Sequence, residues 1–189
     1  MGATEDSFAA LAEEAGVELD REQRFGWLTC RGHLEPSLRE TVPEHVVAAL
    51  QGIFSGLGGD EVALAGKRLQ LLRPDFFTPA TGQIIELDEV QHFTSDRLST
   101  FENYPSDVPL GYDISEYRAI LGTWREAADR YRTAKQTVDF PQAGGRRAQR
   151  AYFDALRDLA APYFIGPVIR IPAPEASAWA YKRFTGLRR

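Results

Sequence analysis

Between Arg73 and His92 the chain reads RPDFFTPATGQIIELDEVQH, and this stretch sets acids among apolar residues. Asp75 follows Pro74 directly, and Glu86 and Asp88 lie inside the run Ile84-Ile85-Glu86-Leu87-Asp88, with Gln91 and His92 close behind. A buried carboxylate costs on the order of several kcal/mol unless something cationic neutralises it. The stretch therefore resembles a metal site more than any other part of the chain does. Gln83 to Asp88 is predicted to be a strand, with Ile84, Glu86 and Asp88 on one face and Ile85 and Leu87 on the other. Asp75 to Thr78 is predicted to pair with it across the turn Pro79-Ala80-Thr81-Gly82, giving a hairpin on which the acids converge.

The rest of the chain supplies support for that hairpin. Thr4 caps a predicted helix ending near Gly16, with Phe8, Leu11, Ala12 and Ala15 on its apolar stripe. Thr41-Val42-Pro43-Glu44 reads as a capping box opening a helix through Phe54. Glu61 to Ala65 reads as a short strand or turn, and Arg68 to Arg73 as a strand. Thr94 to Tyr104 reads as a short helix or ordered loop. Asp113 caps a long helix over Ile114 to Thr133, and a second basic helix runs from Arg146 to Ala161. Tyr163 to Ile171 reads as a strand, followed by a last helix near Ala176 to Phe184. This order predicts a mixed α/β chain of α+β character, with a small central mixed sheet flanked by helices. Its 189 residues suit a single domain: N-terminal helices over 1–60, the sheet and its acids over 61–105, and basic helices, a last strand and a C-terminal helix over 106–189.

Composition excludes several classes. No apolar run approaches the roughly 20 residues of a membrane span, and Glu5 and Asp6 replace the basic start of a signal peptide, so the expected location is cytoplasmic with no membrane partner. Cys30 is the sole cysteine, and no zinc spacing can be built from it with His33, His45 and His92. Any metal must therefore be held mainly by oxygen ligands. The formal charge of −5 speaks against a nucleic-acid partner, but its distribution does not. Residues 1–22 hold seven acids against Arg21, whereas residues 117–150 hold eight bases against three acids. That asymmetry fits one cationic and one acidic face, although an Arg-rich solvated helix would look the same.

A hard divalent ion such as Mg²⁺ takes oxygen ligands from one or two carboxylates, with water and phosphate oxygens completing its shell. Asp75 and Glu86, on opposed strands about 5 Å apart, could both reach one ion. The structural alternatives are ordinary ones. Asp75 would cap the turn after Pro74, Glu86 and Asp88 would form the solvated face of an edge strand, and His92 would be structural.

Pro74-Asp75, then Glu86-Leu87-Asp88, resembles the PD-(D/E)xK nuclease superfamily, whose restriction-endonuclease-like fold is a mixed sheet flanked by helices. The continuation through Gln91-His92 and Asp96-Arg97 resembles the branch related to very-short-patch repair endonucleases. The resemblance covers roughly residues 60 to 105. It implies that Asp75 and Glu86 bind Mg²⁺ or Mn²⁺, that Asp88 supports them, and that His92 with Gln91 handles the proton. Asp88 stands where most of the superfamily has lysine, and Glu89 where the related branch often has glycine. The expectation is a metal-dependent endonuclease hydrolysing DNA phosphodiesters in repair or defence. Arg97, Arg118, Arg125, Arg132, Arg146, Arg147 and Arg150 are the candidate DNA contacts. The rival is a catalytically inactive module of the same fold that binds nucleic acid or a protein partner, and homodimerisation stays open.

Overall fold

The hairpin forms where its alternation places it. In the computed structural model, which describes residues 3–131 and 133–174, β1 (Phe76–Thr78) pairs antiparallel with β2 (Gln83–Asp88), Phe76 opposite Ile85 and Thr78 opposite Gln83. Gly82 closes the turn at φ +69°, a left-handed conformation that a side chain would strain, and its N–H donates to the Thr78 carbonyl at 2.9 Å. β3 (Ile169–Pro172) joins β2 in parallel, with Glu86 opposite Arg170 and Leu87 opposite Ile171. The result is a three-stranded mixed sheet in the order β1-β2-β3. The free edge of β1 is covered by Asp20, which exchanges two backbone hydrogen bonds with Phe77.

Helices cover both faces of that sheet. On one face α1 (Ala3–Glu14) inserts Phe8 against Phe76, Ile85, Leu87 and Ile171. Phe8 is fully buried, a transfer worth about 1.5–3 kcal/mol. α2 (Pro36–Thr41), α3 (Glu44–Gly56) and the short α4 (Glu61–Ala65) build the largest core with later elements. α5 (Ser95–Thr100) and α6 (Ile114–Asp129) enclose a third cluster around Phe93, Phe101, Tyr117 and Leu121. α7 (Gly145–Ala160) runs through the middle of the molecule and is buried on nearly every side. A Cβ on Gly145 would lie 1.9 Å from the Phe140 carbonyl, so only glycine permits this start of α7.

The mixed α/β class with a small helix-flanked sheet thus agrees with the sequence, and several boundaries do not. α2 runs through Thr41, so the expected capping box is not made, and α3 starts after Pro43 without a side-chain cap. Residues 61–65 are helical because Asp60 caps them, its Oδ1 accepting from the Ala63 N–H at 3.0 Å. The expected strand over 68–73 is reduced to a single bridge between Thr29 and Leu71. Asp113 does cap α6, accepting from the Glu116 N–H at 2.8 Å, but the helix ends at Asp129. The strand expected from Tyr163 shortens to β3, preceded by a 3₁₀ turn over Ala161–Tyr163. The helix expected near 176–184 lies outside the described residues. Among the described residues no helix is long and apolar enough to cross a membrane.

Candidate functional site

Strand alternation puts Ile84, Glu86 and Asp88 on the face opposite α1, the face that α7 covers. Extending the β1–β2 register by one residue sets Asp75 opposite Glu86. The Asp75 Oδ2 accepts the Leu87 N–H at 2.8 Å, so a side chain satisfies this donor one step beyond the last β1–β2 backbone pair. Asp75 keeps some exposure and borders a cavity of about 280 Å³ with Glu5, Arg21, Arg73 and Pro74. Burial pushes its carboxyl up to about 6, against the pull of the Leu87 N–H and His92.

Glu86 is 3% exposed. Its Oε1 lies 3.0 Å from Nε of Arg157, but neither atom makes a hydrogen bond, so the pair faces without an aligned N–H···O contact. Burial therefore outweighs the Arg157 charge, and the carboxyl is pushed well above its ordinary range, with Asp75 adding to the push. Two neighbouring carboxyls that are hard to ionise, one with a buried oxygen lacking a donor, fit a hard divalent cation with oxygen preference.

Asp88 takes a different part. Fully buried, it is held by Arg170 Nη1 at 2.8 Å and by the Tyr117 hydroxyl, which donates at 2.9 Å. Arg170 also donates from Nε to Asp158 at 2.7 Å and from Nη2 to the Asp154 carbonyl at 3.0 Å. Asp158 in turn receives Arg97 and the hydroxyls of Tyr104 and Tyr112. Burial pushes Asp158 up, but Arg170 and then Arg97 outweigh it and hold the carboxyl below its ordinary range. Asp88 thus belongs to an internal ion network locking β2 and β3 onto α7.

His92 joins the same network. Its Nδ1 is 2.9 Å from Asp154 and 3.4 Å from Asp88, and its side chain is 15% exposed. Both neighbours are acceptors, so Nδ1 carries the proton and Nε2 is left as the second functional nitrogen. Burial pushes Asp154 up, yet the charges of His92 and Arg170 hold it well below the ordinary carboxylate range. Asp88, His92 and Asp154 lie close enough together to ligate an ion. Arg170 already neutralises both acids, and each is at most 1% exposed.

The remaining expected site residues are dispersed. Gln91 is turned away, donating to Glu89 at 3.0 Å while its own oxygens accept from Arg150. Arg97, expected among the DNA contacts, is fully buried on Asp158 and beyond the reach of a phosphate. Arg147 is tied to Asp129 and Asp96, and Arg146 to Gln149. Arg118 and Arg125 are exposed on α6, and Arg132 lies outside the described residues. Asp154, Arg157, Asp158 and Arg170 are site residues that local sequence does not flag, since Arg157 beside Asp154 and Asp158 reads as an ordinary surface ion pair. The alternation Ile169-Arg170-Ile171 was the available signal, since it turns Arg170 to the Glu86 face.

No family model, curated protein or solved structure matches the chain. The functional reading therefore rests on the geometry of this face. Across it, five acids (Asp75, Glu86, Asp88, Asp154 and Asp158) meet three guanidiniums (Arg97, Arg157 and Arg170) and the imidazole of His92. Acid is in surplus, and the two acids pushed up are Asp75, which borders the cavity, and Glu86 opposite it.

Proposed function

We infer that the protein is a divalent-metal-dependent endonuclease with a restriction-endonuclease-like fold, hydrolysing DNA phosphodiesters at Asp75 and Glu86. The observation that carries this reading is the opposed pair itself, two carboxyls raised by burial, of which Asp75 borders a cavity. Asp75 and Glu86 would hold Mg²⁺ or Mn²⁺. When bound there, the ion would make a water more acidic and offset charge developing on the phosphate. His92, oriented by Asp154, handles a proton through Nε2. Arg157 brings a cation to Glu86 from α7, a charge that Asp88 does not provide from β2. DNA repair or defence is the setting that the resemblance suggests.

Nicking of supercoiled plasmid in Mg²⁺ or Mn²⁺ tests the reading. Asp75→Asn and Glu86→Gln are each expected to lower the rate by at least about 100-fold, as when a transition-state charge loses its partner. Wild-type nicking by both variants would remove the site. One observation favours a second reading. Arg157 lies against Glu86 and leaves it 3% exposed, as expected of a fold retained for binding nucleic acid or a protein partner without turnover. That reading predicts salt-sensitive DNA binding and no scission with either ion.

A further inference from the structure

We propose that Arg21 and Arg73 form a phosphate clamp at the mouth of the Asp75 cavity, and that Glu5 of α1 masks it in the free protein. The proposal rests on the nuclease reading and identifies how the DNA backbone is held beside the acids. Apart from Pro74, the cavity of about 280 Å³ is lined by two guanidiniums and two carboxylates, those of Glu5 and Asp75. This composition suits an anion only when the carboxylate charge is offset.

Arg21 is placed but not saturated. Its Nη1 meets Asp6 at 2.9 Å and its guanidinium lies 5.3 Å from the centre of the Phe76 ring. Its Nη2, by contrast, is buried without a hydrogen bond, and its nearest acid, Glu5, is 3.8 Å away. A buried guanidinium nitrogen with no acceptor is a strong donor in want of an oxygen. Arg73 reaches the same cavity from the other side. Among the described residues its side chain is held by Nη1 at 3.1 Å from Glu22, an acid 74% exposed, and such a pair exchanges readily for a phosphate.

The charges also set an order of events. With Asp75 and Glu5 ionised, the cavity is balanced, two positive against two negative. A divalent cation held by Asp75 and an ionised Glu86 would leave a net charge of one positive on these groups, which would draw the phosphate in after the ion. Glu5 competes with that phosphate for Arg21, and its removal should tighten binding.

Fluorescence anisotropy of a short labelled DNA duplex over a salt series, with Ca²⁺ in place of Mg²⁺, reads the clamp. Arg21→Gln and Arg73→Gln are each expected to weaken binding roughly threefold to tenfold and to lower the salt slope by about one. Glu5→Gln is expected to tighten it, and chelation of Ca²⁺ to weaken the wild type. Arg21 packs on Phe76, so thermal melts accompany the series, and Arg73→Gln, at an exposed side chain, serves as the variant that folds regardless. Unchanged affinity and slope in Arg73→Gln, or no duplex binding by the wild type, overturns the clamp. If those values hold while Asp75→Asn abolishes nicking, the clamp falls and the hydrolytic reading stands. Lowered slopes in both arginine variants without nicking in any ion keep the clamp and remove the hydrolysis.

Discussion

At the scale of single residues, Asp75 separates a functional account from a structural one. Its carboxylate completes the ladder at Leu87, which is a structural service, but an amide oxygen would do the same. Its charge is what the fold resists. With a folded-state value of about 6 against an ordinary 3.8, the folded protein holds a proton that the unfolded chain has released between those values. Asp75 therefore weakens the fold at neutral pH, and that loss is recovered as the pH falls through this window. Asp154 and Asp158 work in the opposite direction, contributing stability that is lost only in stronger acid. Urea unfolding of Asp75→Asn is expected to show stability equal to or above wild type at about pH 7.5, with any advantage gone by about pH 4. A loss of about 2 kcal/mol at the higher pH would make Asp75 a structural cap instead.

At the scale of elements, the local pieces were legible and their long-range partners were not. The hairpin was readable because its period-two alternation and its turn ending in Gly82 are contained within a dozen or so residues. α6 was readable from Asp113 and its apolar stripe. By contrast, α7 carries Asp154, Arg157 and Asp158 beside Tyr152, Phe153 and Leu156, and nothing local tells a buried acid from a solvated one. What buries them is β3, which pairs with β2 across some eighty residues of chain and brings Arg170 between the acids. The sequence therefore suggested lysine-deficient chemistry at Asp88, whereas Asp88 is a structural partner of Arg170. Arg170→Met is expected to destabilise the protein by about 3–5 kcal/mol in urea, because Asp88, Asp154 and Asp158 would lose their shared cation. The exposed pair Arg130 and Glu126 provides the contrast, and its removal should change stability by no more than about 0.5 kcal/mol. Equal small effects would mean that the network does not lock the sheet to α7.

Across the whole molecule, the charge asymmetry seen in the sequence is redistributed by folding. Several of the basic residues expected to meet DNA are tied to acids or amides within the protein, and Arg97 is in its interior. The acidic N-terminal segment lies beside the cavity, where Glu5 and Asp6 engage Arg21 and Glu22 engages Arg73. The candidate site is thus a small recess lined by both acids and arginines and not a broad basic face. Uptake of a divalent ion there should also release protons, because Asp75 and Glu86, both pushed up by burial, must be ionised to bind it. The most direct measurement is calorimetric titration of Mn²⁺ into wild type and Glu86→Gln at about pH 7.5 and about pH 5.5. Saturable uptake by wild type is expected at the higher pH, weaker uptake with proton release at the lower pH, and none by Glu86→Gln. No uptake by wild type, or the same uptake by the variant, would contradict the metal site.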